Sequence, residues 1–422
     1  MRKPVFIIGI ILAAAGLGAA AYYWQYLRVP GPAMPRPPRD IAGLPEEGKG
    51  PGVEPAADPA SFPLKLPPGF AFAIFARGLE GARVLALDPG GNLLVSLTSQ
   101  GRVAALPDKN GDGAADAVVT VLDGLNKPHG LVFGPEEKPR LYVAETDQVT
   151  AYDYDPLLLT ATNQQKIADL PPGGRHFTRS LVFLRAARDH RLLISVGSSC
   201  DAGEEQDPQR AKILAVDPDG GDLSTFAAGL RNSAFMAVHP RSKHVWATER
   251  GRDDLGGNWP PDEINIIMEG SHYGWPYCYG KRLHDDKSDP AGTHREFCQD
   301  TIPSFIDVPA NEAPMGLAFF PPSWPKEFRH DLLVAFHGSS NRAVPTGGKV
   351  VRYRLDAAGN FMDVEDFITG WLTPAGALGR PVDILITDDG VIYISDDKAG
   401  VVYRIAYKLM DNISVRLGPS QG

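Results

Sequence analysis

Short apolar runs alternate with turns rich in Asp, Pro and Gly along most of this chain, and one unit recurs. An AlaLeuAspPro turn leads to Leu93-Leu94-Val95, and PheGlyPro leads to Leu141-Tyr142-Val143. Leu192-Leu193-Ile194 follows. AlaValHisPro then leads to Val245-Trp246-Ala247. Leu332-Leu333-Val334 and the AspAspGly turn before Val391-Ile392-Tyr393-Ile394 complete the set of six. The spacing is about fifty residues, stretched where Lys281–Ile306 is inserted, and periods of roughly 40–50 residues with several short strands each indicate propeller blades. One blade cannot bury both faces of its sheet, so neighbours must stack around an axis. The pattern predicts an all-β fold, a six-bladed β-propeller over residues 66–410. The period is too long for an array of single hairpins.

The N-terminus follows a different pattern. Met1-Arg2-Lys3 is basic, and Val5 to Tyr23 is then apolar, with no charge until Arg28. A run of roughly 19 residues is long enough to cross a bilayer and longer than a usual signal h-region. The basic head belongs on the cytoplasmic side, and Tyr22, Tyr23, Trp24 and Tyr26 lie where an interfacial aromatic belt would be. Residues 1–27 therefore read as a signal anchor, with a cleaved signal peptide at Ala19-Ala20-Ala21 as the alternative. Either way the bulk of the chain is exported, to a periplasmic or extracytoplasmic place, tethered to the inner membrane if uncleaved. Residues 28–65 are a Pro-rich tether, whose prolines favour extended, semi-rigid chain. Residues 411–422 are a C-terminal tail.

Composition narrows the function. Of 422 residues, 45 are Gly and 38 Pro, as many tight turns require. The net charge of −9 offers no basic face to nucleic acid. Three cysteines are too few to build a disulfide framework. Cys278 and Cys298 bracket a polar loop that an oxidising compartment could close by a disulfide; two free thiols are the alternative.

In a propeller the loops at one end of the channel converge, so polar residues at equivalent blade positions meet there. Three such positions stand out. Gly173-Gly174-Arg175-His176 precedes an apolar strand, and a histidine there is suited to proton abstraction. His129, in LysProHisGlyLeu, competes for that role. Gly229-Leu230-Arg231-Asn232 and Gly379-Arg380-Pro381 repeat the position in other blades, and Arg342 follows His337 nearby. Several arginines in one mouth imply an anionic ligand with more than one acid group. The Glu249–Glu263 segment adds backbone carbonyls at Gly251 and Arg252 and carboxylates at Asp253, Asp254, Asp262 and Glu263, hard oxygens suited to Ca²⁺, with an acidic surface loop as the alternative. Asp108 to Asp116 resembles the start of a Ca²⁺ loop but has Val119 at the twelfth position, so a plain Asx-rich turn is the simpler reading.

The motifs GlyLeuArgAsn (229–232), AspGluIleAsn (262–265), TyrGlyTrpProTyrCysTyrGly (273–280), AlaProMetGlyLeuAlaPhe (313–319), PheHisGlySer (336–339), GlyArgProValAsp (379–383) and SerAspAspLysAlaGly (395–400) together resemble the soluble quinoprotein sugar dehydrogenases, in their sorbosone dehydrogenase-like branch. The resemblance spans nearly all of residues 66–407. It implies a propeller holding pyrroloquinoline quinone (PQQ) and Ca²⁺ over the channel. It gives His176 the role of base and sets Arg231 and Asn232 beside the quinone. Gly251 and Arg252 become the carbonyl ligands of the cofactor Ca²⁺, with Asp262 near that site and Glu263 at a structural metal. Arg380 grips a cofactor carboxylate.

The chain departs from its sugar-oxidising relatives at three points. Arg252 replaces a proline and is followed by an insertion, Asp253–Pro261. Val382 replaces a second arginine. A lysine near PheHisGlySer is missing, with His337 or Arg342 as its substitute. These departures leave the substrate open. The expected function is PQQ- and Ca²⁺-dependent oxidation of a sugar or related alcohol or aldehyde, with a quinone or cytochrome as external electron acceptor. A Ca²⁺-dependent lactonase and a non-catalytic glycan- or protein-binding propeller are the alternatives.

Overall fold

The structure, a computed structural model, describes residues 58–134, 139–184, 189–338 and 344–407. The signal anchor, most of the tether, Arg342 and the C-terminal tail lie outside the described residues. Six four-stranded antiparallel meanders form the propeller predicted above. Their innermost strands are Ala82–Leu87, Leu131–Phe133, Leu181–Phe183, Ser233–Val238, Pro314–Phe319 and Pro381–Ile386. We number the blades in that order. The sixth blade has only three strands of its own, Pro381–Ile386, Val391–Asp396 and Val401–Tyr407. Its outer strand is Phe70–Arg77 from the start of the domain, registered from Phe70 opposite Tyr407 to Arg77 opposite Val401. The ring is closed by backbone hydrogen bonds between the two ends of the domain.

Each recurring apolar run is the second strand of a blade. Leu93–Leu97, Leu192–Val196, Val245–Glu249 and Leu332–Phe336 are buried along their whole length. Such a strand has a partner on either edge and a neighbouring blade against either face, so none of its side chains meets water. Outer strands carry a weaker signal; Thr160–Asp169 is mostly exposed. Two turns between blade strands share one chemistry, one before the second strand of blade 1 and one before the fourth strand of blade 5. In blade 1 Asp88 accepts from the Asn92 N–H at 2.8 Å, and in blade 5 Asp356 accepts from the Asn360 N–H at 3.0 Å. Gly91 and Gly359 sit at φ of +85° and +91°, where a side chain would be strained.

The propeller takes hold of the chain before the expected 65/66 boundary. Phe62 is buried in the cluster around Phe70, Trp324 and Trp371, and Lys65 exchanges backbone hydrogen bonds with Thr369 at 2.8 and 3.1 Å. The Asp108–Asp116 turn joins the third and fourth strands of blade 1. Its carboxylates accept from the loop's own N–H groups, including Lys109 N to Asp116 at 2.7 Å and Gly111 N to Asp108 at 2.9 Å.

The insertion in blade 4 sets the shape of the site. After Asp262–Ile267 the chain runs along the outer edge of blade 3, where Ser271–His272 pairs in parallel with Ser224–Ala228. It then turns through the hairpin Cys278–Tyr279 and Leu283–His284. It rejoins blade 4 at Ile306–Val308, opposite Asp262–Ile264. Cys278 and Cys298 form a disulfide across this excursion, with a sequence separation of 20. Closing a loop of that length contributes about 3 kcal/mol. Cys278→Ser is therefore expected to open residues 279–297 to limited proteolysis while the blades stay folded. Unchanged cleavage in that segment would contradict this.

Candidate functional site

In an antiparallel meander, the start of the first strand and the end of the second lie at the same end of the blade. His176, Arg231, Asn232 and Arg380 precede or open first strands, and Gly251, Arg252 and His337 follow second strands. The fold therefore brings them to one mouth of the channel.

His176 is half-buried. Its Nδ1 lies 3.0 Å from the Ser198 carbonyl oxygen and 2.9 Å from Ser198 Oγ. A carbonyl only accepts and Ser198 Oγ donates to Cys200 O at 2.7 Å, so Nδ1 carries the proton and Nε2 keeps a free lone pair. Burial and the nearby Arg231 push its pKa down to about 3. A Cβ on Gly197 would stand 2.6 Å from His176 Cβ and 2.8 Å from Asn232 Oδ1, so only glycine lets this strand end pass beneath them. His129 is fully buried, packed edge-on against Phe235 with centroids 5.1 Å apart. Of the two histidines, His176 is the one the mouth can use.

Arg231 is buried and spans two loops. Its Nε donates to Asp201 O at 2.8 Å, its Nη1 to Arg250 O at 3.0 Å, and its Nη2 to the Asp201 carboxylate. Arg175 reaches the same carboxylate at 3.3 Å and Asp253 at 2.9 Å. Asn232 accepts from Thr178 Oγ1 at 3.2 Å, and its own N–H donates to Glu249.

Asp262 is buried with both oxygens occupied, by the Gly251 N–H at 2.8 Å and the Ala313 N–H at 2.9 Å. Burial pushes its pKa up to about 6. Its side chain thus positions the Gly251 loop against blade 5. Glu263 accepts from Gly280 N at 2.6 Å and Asn265 Nδ2 at 2.9 Å. It lines a cavity of about 40 Å³ together with Arg231, Glu249, Gly251, Arg252 and Tyr273. The Arg252 side chain ties the two insertions together, donating to Asp254 at 2.8 Å and to Asp285 at 2.7 Å. Only its backbone is left for the mouth.

On the other side of the channel, His337 Nε2 lies 3.0 Å from Asp397, which also pairs with Arg83 Nη1 at 3.0 Å. Burial and the charges of Arg83 and Arg380 lower the His337 pKa against the pull of Asp397. Arg380 is half-buried, its N–H held by Asp396 at 2.8 Å. Arg83 and Arg250 were not among the sequence candidates. Among the described residues, neither of their buried Nε–H groups meets an acceptor. Arg83 lies inside the first strand of blade 1, whereas Arg231 and Arg380 precede theirs, so matching blade positions did not single it out.

Beneath the mouth, Asp383 joins blades 6 and 1 by accepting from Leu85 N at 2.8 Å. Burial pushes its pKa up to about 7. With the folded value above the unfolded one, its contribution is present below about pH 4 and is lost as pH rises through about 7. Relative to Asp383→Asn, wild type should therefore lose thermal stability between pH 4 and pH 8. A constant difference in melting temperature between the two across that range would refute this.

A family model described as TrAA12-like matches residues 64–408. A curated relative is the pyrroloquinoline quinone-dependent pyranose dehydrogenase of Coprinopsis cinerea, 27% identical over 408 residues. The match covers 83% of this chain and 56% of that enzyme, so the chain spans about half the relative's length. The holo structure of the PQQ domain of the pyranose dehydrogenase from Coprinopsis cinerea superposes with a TM-score of 0.71 at 23% identity, covering 83% of this chain and 98% of that one. The calcium structure of a Trichoderma reesei enzyme of carbohydrate-active family AA12 gives a TM-score of 0.71 at 21% identity, covering 82% and 98%.

Proposed function

The chain belongs to the TrAA12-like family, and from that membership we propose that it is a PQQ- and Ca²⁺-dependent dehydrogenase of sugars or related alcohols and aldehydes. One observation carries the reading. Arg83, Arg231, Arg250 and Arg380 converge on a single mouth beside a histidine with a free Nε2, and among the described residues the buried Nε–H groups of Arg83 and Arg250 have no acceptor. Buried donors of that kind are costly unless an acceptor fills them. A flat tricarboxylate supplies acceptors on several sides, so the residues present fit PQQ. Arg83 also supplies a guanidinium to a mouth in which Val382 stands where relatives carry a second arginine.

In this reading Arg83, Arg380 and His337 hold carboxylates on one side, with Arg231 and Asn232 on the other. The carbonyls of Gly251 and Arg252 would hold the cofactor Ca²⁺, in a loop fixed by Asp262, while the oxygens of Glu263 are taken up by Gly280 N and Asn265 Nδ2 and fix the second insertion instead of a structural metal. PQQ with its metal supplies the hydride acceptor when bound. His176 Nε2 takes the proton of the substrate hydroxyl, and Ser198 keeps the imidazole in the tautomer that can do so. Electrons leave to an external quinone or cytochrome. The apolar run at residues 5–23 exports the chain and tethers it to the inner membrane, with the mouth in the periplasm.

The test is reconstitution of the purified protein with PQQ and Ca²⁺, followed by dye reduction across aldoses, sorbosone and polyols. Saturable uptake with turnover of at least one substrate is expected. Absence of uptake would sink the reading, and hydrolysis of lactones without PQQ would replace it with the lactonase alternative.

A further inference from the structure

The two insertions of blade 4 meet and border an open groove of about 550 Å³. That volume lies within the ~300–1,000 Å³ range of small-molecule sites. The floor is aromatic and apolar. Trp259 is 48% exposed, a high value for the bulkiest side chain, and its ring centroid lies 6.3 Å from that of Tyr279. Leu283 is 43% exposed beside them. The rim is charged, with the side chains of Asp286, Lys287 and Arg295 reaching solvent. An aromatic face within a ring of hydrogen-bonding groups fits the ring of a sugar, which presents a C–H face for stacking and hydroxyls at its edge.

The groove is built rather than incidental. Arg252 pairs with Asp254 of the first insertion and Asp285 of the second, and Lys287 of the second reaches back to Asp254 at 2.7 Å. The Cys278–Cys298 disulfide closes the second insertion on itself. A site fixed in advance binds without first paying to order its loops. The groove adjoins a small cavity at the edge of the mouth: Tyr279 and Asp285 line both it and the cavity beside Arg231, Gly251 and Arg252.

From this adjacency and the aromatic floor we infer that the groove is a subsite for a second sugar residue, so that the preferred substrate is an oligosaccharide or glycoside. The terminal sugar enters the mouth and the next ring stacks on Trp259. This rests on the sugar-oxidising reading above, but the groove can be tested without the redox reaction. Calorimetric titration of the full chain without PQQ, using cello-, xylo-, manno- and maltotetraose and the parent monosaccharides, measures binding alone. At least one tetraose should bind ten or more times tighter than its monosaccharide. Trp259→Ala should weaken that binding about tenfold, and Trp259→Phe should retain most of it. Trp259 is exposed, so these variants keep the fold, which matching melting temperatures would verify. The proposal is overturned if no tetraose binds better than its monosaccharide, or if Trp259→Ala binds as wild type. Tetraose binding without any PQQ-dependent turnover would leave the groove standing and defeat the proposed function instead.

Discussion

His176→Ala lowers kcat for PQQ-dependent sugar oxidation by about 10²–10⁴-fold, the usual contribution of a positioned general base, while uptake of PQQ and Ca²⁺ persists. The geometry separates the two effects. The imidazole is anchored by Nδ1 to Ser198, and its Nε2 is the atom offered to a substrate hydroxyl. The arginines proposed to hold the cofactor lie on other loops. Burial and Arg231 hold the imidazole neutral above about pH 3. In the cofactor-free protein the His176 ring resonances should therefore not titrate between pH 5 and 8. An anion bound beside Arg231 offsets its charge, so PQQ should raise the His176 pKa. Full turnover in the alanine variant, or titration near the ordinary histidine value without cofactor, would remove His176 from the mechanism.

Arg83→Met weakens PQQ binding by about two orders of magnitude, as truncating one partner of a buried charge pair costs about 2–5 kcal/mol. Methionine keeps much of the stem's packing and removes only the guanidinium. The loss leaves Asp397 with His337 as its remaining ion-pair partner, and without the charge of Arg83 the His337 pKa rises. Fluorescence titration with PQQ would measure the affinity. At saturating PQQ, kcat should fall far less than it does in His176→Ala, because Arg83 is proposed to grip the cofactor and not the reacting hydroxyl. Wild-type affinity in Arg83→Met would show that the cofactor is held without it.

The propeller was legible because its second strands are buried on every side and so read as uninterrupted apolar runs. Val245-Trp246-Ala247 and Leu332-Leu333-Val334 needed no partner information to be found. The family match bears out the resemblance to quinoprotein sugar dehydrogenases drawn from motifs such as GlyLeuArgAsn and AspGluIleAsn. Placement of His176, Arg231 and Arg380 at one mouth followed from equivalent blade positions. What the sequence could not convey was which side chains turn into the mouth. Arg252 drew notice as a departure in the metal loop, yet its guanidinium is spent on Asp254 and Asp285. Asp262 looked like a ligand, but its oxygens are filled by backbone N–H groups from two loops. Arg83 went unnoticed because its Asp397 partner is 314 positions away. Contacts of that kind depend on closure of the ring, which no local pattern encodes.

Ring closure also sets an order on biosynthesis. The strand Phe70–Arg77 leaves the ribosome before any other blade strand, and its partner Val401–Tyr407 leaves last. Until then PheAlaPheAlaIlePheAlaArg is a free edge, apolar, uncharged up to Arg77 and eager to pair with any other strand. Pro67 and Pro68 ahead of it and Arg77 at its end act as gatekeepers against such pairing. A nascent chain stalled or cut short before blade 6 would thus be exposed at its beginning for want of its end, and would aggregate through residues far from the break.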